Sequence, residues 1–180
     1  IAVHSLKDMP GDIEHPDLLV GAYLERSSPY DVILGKVFNG FTIGTSSPRR
    51  TKQLTDLYGH LNVKIKHIRG NIDTRLAKLD AGEYDAIVLA EAGLQALSIG
   101  RTTVRLPIVP AVGQGTIALQ CRKDDADTIE LLKHADHDLT RRHSFLERSL
   151  LKGIMGDCST KIAAYASEDN PIKLEAVYYD

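Results

Sequence analysis

Short apolar runs alternate along this chain with stretches of helical period, the pattern of a sheet whose strands are linked by helices. The segments "IAVH" (1–4), "FTIGT" (41–45) and "VKIKHI" (63–68) are predicted strands, and "YDAIVLA" (84–90) is apolar throughout, as a strand covered on both faces would be. A helix is expected from Pro48 to Tyr58, where Ser47-Pro48 supplies a cap and a first-turn proline. A second is expected over "DTRLAKLDAG" (73–82), with Asp73 at its start and Gly82 past its end. The fold class is therefore α/β.

Beyond Pro107 and Pro110, "AVGQG" is a glycine-punctuated turn feeding a strand that puts Ile117, Leu119 and Cys121 on one face, with Cys121 in the core. Helices are expected over "DADTIELLKHA" (125–135) and "LTRRHSFLERSLLKGI" (139–154). Leu139, Leu146, Leu150 and Ile154 form an apolar stripe along the second, which reads as its packing face. The closing segments "TKIAAYA" and "IKLEAVYYD" flank an Asp169-Asn170-Pro171 turn, as a hairpin would. A helix followed by strands departs from the alternating body and marks a small α+β domain. The expected division is 25–109 as an α/β domain, 1–24 with 110–135 as the remnant of another, and 136–180 as the third. The opening strand carries no Met, so the first domain reads as truncated at its N-terminus, and the third reads as truncated at its C-terminus.

Composition narrows the function classes. With 180 residues, 43% hydrophobic, and a formal charge of −2, the chain is expected to be globular rather than disordered. It lacks the basic excess of a general nucleic-acid binder, so any anion site must be local. No apolar run approaches the roughly 20 residues of a membrane-spanning helix. No secretory leader is recognised, and a cytoplasmic protein is the simplest reading. Cys121 and Cys158 are too few for a disulfide framework, and neither they nor the seven His residues show metal-ligand spacing.

The candidate chemistry lies where predicted strands pass into helices. In "GTSSPRR" the Thr45, Ser46 and Ser47 hydroxyls, the free N–H groups of a helix N-terminus, and the guanidinium forks of Arg49 and Arg50 converge on one spot suited to an anion. Alone, the motif reads more readily as a capped helix with two solvated arginines than as an anion site. Recurrence favours a site: "IRGNIDTR" brings Arg69, Asn71 and Arg75 to the next junction, with Gly70 permitting close approach, and parallel strands would set both junctions on one sheet edge. Gln114 in "AVGQG" is a third candidate. No Walker loop or dinucleotide glycine motif is present, so a nucleotide is not the first expectation. "HSLKDMP" adds Ser5, Lys7 and Asp8 just past a strand; Asp8 is a turn or ion-pair residue on one reading, and a stabiliser of developing positive charge on the other. Cys158 in "GIMGDCST" is an accessible thiol or an ordinary loop cysteine.

Taken together and in this order, "HSLKDMP", "GTSSPRR", "RGNIDTRLAKLDAGEYDAIVLAEAGL", "PAVGQG" and "GDC" resemble the porphobilinogen deaminase (hydroxymethylbilane synthase) family over almost the whole chain. The resemblance implies two periplasmic-binding-protein-like α/β domains, a small α+β third domain, and a monomer. It implies condensation of four porphobilinogen units, with loss of ammonia, on a dipyrromethane cofactor held by a thioether to Cys158. Asp8 then matches the catalytic aspartate and Lys7 its catalytic neighbour, while Ser5 helps to hold cofactor and substrate. Arg49, Arg50, Arg69 and Arg75 match the arginines for acetate and propionate side chains, with Thr45, Ser46, Ser47, Asn71 and Gln114 supporting. Gln120, Asp157 and the "CSTKIA" continuation depart from the family pattern, as does the absent upstream half of the first domain. The competing expectation is a non-catalytic anion-binding module.

Overall fold

The computed structural model describes residues 1–10, 15–154 and 162–179; Cys158, Asp157 and most of "CSTKIA" lie outside them. In chain order its elements are β1 (Ala2–Ser5), a 3-10 turn (Leu6–Asp8), β2 (Leu18–Tyr23), β3 (Asp31–Gly35), β4 (Thr42–Gly44), α1 (Pro48–Tyr58), β5 (Lys64–Lys66), α2 (Ile72–Asp80), β6 (Ala86–Ala90), α3 (Glu91–Ala96), β7 (Val104–Arg105), β8 (Ile117–Arg122), α4 (Ala126–Lys133), α5 (Asp138–Gly153), β9 (Ile162–Ser167) and β10 (Lys173–Tyr178). They divide into two units, one of Ile1–Pro29 with Val109–Tyr178 and one of Tyr30–Ile108. Both units mix helices with strands, so the α/β expectation is met. No helix among the described residues is long and apolar enough to cross a membrane.

The Tyr30–Ile108 unit is built on a five-stranded sheet of order β5-β4-β6-β3-β7. Strands β5, β4 and β6 run parallel, whereas β3 is antiparallel to β6 and to β7. Alternation along β6 sends Ile87 and Leu89 to one face, with Leu76 of α2 and Leu94 of α3, and Ala86 and Val88 to the other, with Leu54 of α1. Both faces are thus covered, as the unbroken apolar run of β6 required. Helix α1 begins where expected: Ser47 caps it by accepting from Arg50 N, and Pro48 takes the first position. Helix α2 corrects the sequence reading. Its cap is Asn71, whose side-chain oxygen accepts from Thr74 N at 2.9 Å and Thr74 Oγ1 at 2.7 Å, and Asp73 lies in the first turn. Both residue types suit a helix start, and the double bond from Thr74 favours the earlier one.

The other unit holds a three-stranded antiparallel sheet, β1-β8-β2, and the hairpin β9–β10. Cys121 is buried with Ala22 and Leu132. Helix α5 overturns a second expectation. Its buried face is Thr140, His143, Ser144, Glu147, Arg148 and Leu151; Leu139, Leu146 and Leu150 are half-buried, and Ile154 is exposed. The cause is what the helix covers. Thr140 Oγ1 accepts from Arg26 N at 3.0 Å, and His143 Nε2 meets Glu168 O at 2.7 Å. Glu147, at 0% exposure, accepts from Gly113 N at 2.7 Å, Ala166 N at 2.8 Å and Arg26 Nη1 at 2.6 Å. A helix laid over turns and strand ends meets backbone groups that need partners, and polar side chains supply them.

Replacing Glu147 by Ala strands a buried guanidinium and two buried N–H groups, and is expected to destabilise the protein by about 3–5 kcal/mol. Leu146→Ala, on the stripe the sequence favours, should cost less. Urea-unfolding midpoints of the two variants give the order, and a Leu146 variant less stable than the Glu147 variant contradicts this account.

Candidate functional site

Parallel pairing of β4 with β5 sets the β4–α1 and β5–α2 junctions side by side on one sheet edge. The pairing continues one step past the strands, with Thr45 N donating to Lys66 O at 3.1 Å. Ser46 then staples the junctions together: its Oγ donates to Ile68 O at 2.7 Å and accepts from Ile68 N at 3.1 Å. Thr45, 1% exposed, accepts from Ser47 N through Oγ1 at 3.2 Å. At the second junction Gly70 has φ +116°, and a Cβ there would lie 2.6 Å from Thr74 Cγ2, so the backbone can pass only as glycine. Arg75 Nε donates to Gly70 O at 2.7 Å, and the Arg69 side chain is exposed, with no described residue accepting from its guanidinium.

Arg49 and Arg50 do not lie solvated on α1. Both are buried against Asp31, the first residue of β3, itself at 0% exposure. Arg49 Nη2 donates to Asp31 Oδ2 at 2.7 Å; Arg50 Nε and Nη2 donate to Oδ1 at 3.0 Å and 2.6 Å, and its Nη1 donates to Val88 O at 3.2 Å. Two cations in the first turn oppose the helix dipole, and that turn has no acid of its own, so a carboxylate from the sheet offsets them. Burial pulls the Arg49 guanidinium below its usual range, against the Asp31 charge that raises it. Arg75 is also pulled down, by burial first and then by the positive charge of Arg50. Arg50 thus repels both Arg49 and Arg75 at this edge, and an incoming anion would relieve that repulsion.

The remaining candidates belong to the other unit. Ser5 ends β1 and precedes the 3-10 turn, in which Leu6 is buried, Lys7 half-buried and Asp8 exposed. No described residue bonds the Asp8 carboxylate. Lys7 Nζ donates to Gln114 Oε1 at 3.5 Å, and Gln114, 1% exposed, donates from Nε2 to Pro29 O at 2.7 Å. Its turn is wedged tightly: a Cβ on Gly113 would lie 2.7 Å from Leu6 Cγ, and one on Gly115 would lie 2.6 Å from Ser28 O. Sequence reasoning missed Asp31, Arg26 and Glu147. An acid heading an apolar strand, as in "YDVILG", and an acid inside an apolar helix run, as in "FLERSLL", were the available signals.

Chemically, guanidiniums and a helix N-terminus on one edge suit a ligand bearing several carboxylates, while the hydroxyls of Thr45, Ser46 and Ser47 are engaged within the loops. Among the described residues no group of His, Cys, Asp and Glu is arranged to hold a metal ion.

Comparison with known proteins gives this donor set a lineage. A family model described as porphobilinogen deaminase, dipyromethane cofactor binding domain, matches residues 1–130. Curated porphobilinogen deaminases are similar over nearly the whole chain: that of Coxiella burnetii (strain RSA 493 / Nine Mile phase I) is 46% identical over 175 residues, covering 92% of this chain and 56% of its own length. That of Brevibacillus brevis (strain 47) is 44% identical over 187 residues, covering 96% and 59%. That of Bacillus cereus (strain B4264) is 40% identical over 191 residues, covering 98% and 61%. The chain thus spans less than two thirds of the length of these relatives. Among solved structures, substrate-binding domain 2 of Lactococcus lactis GlnP aligns with 77% of this chain and 58% of its own at a TM-score of 0.37 and 14% identity, a level that adds nothing to the family match. The matched span runs from the turn that carries Asp8 through both arginine-bearing junctions to the Gln114 turn and beyond, and the chain belongs to the porphobilinogen deaminase family.

Proposed function

We propose that the protein carrying this chain condenses four porphobilinogen units stepwise into hydroxymethylbilane, releasing ammonia, on a dipyrromethane primer tethered to Cys158. The observation that carries this reading is the staple by which Ser46 joins the two junctions of the Tyr30–Ile108 unit whose sequences carry Arg49, Arg50, Arg69 and Arg75. Porphobilinogen and each unit grown from it bear acetate and propionate groups, so a lengthening product needs a spread of guanidiniums rather than a single anion pocket. The donor set fits the primer for the same reason. When bound, the dipyrromethane supplies a nucleophilic pyrrole carbon and a covalent hold on the growing chain.

The chain's own residues divide the remaining work. Arg69 and Arg75 reach carboxylates at the open side of the edge, while Arg49 and Arg50 act from fixed positions behind them. Thr45, Ser46, Ser47 and Asn71 hold the two loops in shape. Asp8 accepts from pyrrole N–H groups and stabilises the positive charge that develops as ammonia leaves the substrate. Lys7, tied to Gln114, and Ser5 steady the ligand beside it. In this reading residues 136–180 form the anchoring domain, and the protein works as a cytoplasmic monomer without nucleic acid or membrane partners.

Asp8→Asn keeps the size and removes the charge. In the full-length protein, turnover should fall by about 10²-fold or more while covalently bound intermediates persist, read by single-turnover kinetics and intact-protein mass. Turnover at the unsubstituted rate rejects the role given to Asp8. Independently of activity, the intact mass of the full-length protein should exceed its sequence mass by one dipyrromethane, and Cys158→Ser should remove the increment. An unmodified Cys158 in a full-length protein without turnover instead favours a non-catalytic anion-binding module, and in an active one it favours another anchor.

A further inference from the structure

The Asp31 carboxylate has no role in the chemistry above, yet it holds two arginines from a fully buried position. Its backbone is fixed on both sides: Asp31 pairs with Ala90 across β6, and Leu106 N donates to its carbonyl at 2.9 Å. The main chain that carries the carboxylate is thus held in place. The carboxylate holds Arg49 through one oxygen and Arg50 through the other, the second as a fork from Nε and Nη2. Val88 O takes a further bond from Arg50 Nη1 at 3.2 Å. A guanidinium carries five N–H groups. Three of those on Arg50 are spent on this inner framework, leaving two that no described residue accepts. One carboxylate facing two guanidiniums also leaves a positive excess, and Arg75 feels it as the charge of Arg50.

We infer that Asp31 is a positioning residue: by holding Arg49 and Arg50 it fixes Arg50 in the one orientation that turns its two remaining donors and the excess charge of the cluster toward an incoming pyrrole carboxylate. The inference rests on the carboxylate-binding reading of those arginines. Two other roles are open to a buried acid beside a binding arginine. It can compete with the ligand for the same donors, or it can merely stabilise the fold. The three roles differ in how a small carboxylate should act once the Asp31 side chain is removed. A formate ion entering the vacated space restores a framework, blocks a competitor's site again, or repairs stability alone.

The test measures porphobilinogen affinity by calorimetry on the full-length protein, beside its thermal unfolding, with sodium formate or with sodium chloride at equal ionic strength. Asp31→Ala should bind porphobilinogen about tenfold to a hundredfold more weakly than the unsubstituted chain, and formate, unlike chloride, should recover most of the loss. Formate that weakens binding further overturns positioning in favour of competition. A folded Asp31→Ala chain that binds like the unsubstituted one overturns it in favour of a purely structural role. Breaking a buried ion pair is costly, so if Asp31→Ala stays unfolded even in formate, Asp31→Asn decides: weakened binding by a folded chain supports the inference, and unchanged binding overturns it. Arg50→Lys separates this inference from its premise. If Arg50→Lys weakens binding and the Asp31 variants do not, the inference alone falls. If Arg50→Lys binds unchanged, or the unsubstituted chain binds no porphobilinogen, the carboxylate-binding reading falls and takes the inference with it.

Discussion

A carboxylate removed wholly from water must be matched by cations and N–H donors, or the fold that buries it does not form. Each unit is organised around one such acid. Glu147 gathers Arg26, the Gly113 N–H and the Ala166 N–H, and so ties α5 to the glycine turn and to the hairpin. Asp31 gathers Arg49 and Arg50, and so ties the head of β3 to the first turn of α1. In neither case is the acid exchangeable for water, since both stand at 0% exposure.

The two acids have different consequences for function. Glu147 organises the turn that holds Gln114, and through it Lys7, without belonging to the candidate donor set. Asp31 grips arginines that belong to that set, so in the Tyr30–Ile108 unit the candidate donors are also part of the buried framework. That framework accounts for arginine at position 50. Lysine would supply the charge, but not the planar fork that reaches a carboxylate and the Val88 carbonyl at once.

What could be read from the sequence is what depends on local chemistry. The cap and proline of α1, the apolar run of β6 and the Asn-Pro hairpin each follow from a few adjacent residues, and the structure places them as expected. The parallel pairing that brings both junctions to one edge was legible too, because strand, loop and helix recur in register. The buried face of α5 was not. Its leucine stripe has the right period, but the surfaces beneath the helix are turns and strand ends, whose demand for hydrogen bonds no periodicity encodes. Asp31 escaped for a related reason: an acid at the start of an apolar strand reads as a strand end, and its partners lie on another element. Asp8 and Cys158 were singled out by resemblance more than by physics, and Cys158 lies outside the described residues.

The contrast between Asp31 and Asp8 bears on which acid serves the chemistry. Asp31 is neutralised by two guanidiniums on a rigid strand, and its charge is already spent. Asp8 is exposed at the end of a three-residue turn, with Leu6 and Met9 buried around it and its own carboxylate left to solvent. In water that charge does little for a cation, because the high dielectric weakens it. On the proposed function, a pyrrole covering it would bring the same charge to short range in a drier setting, where its effect would grow as positive charge developed on the ring. An acid suited to that task must be unpaired before the ligand arrives and desolvated by it. Of the two, only Asp8 meets the first condition among the described residues.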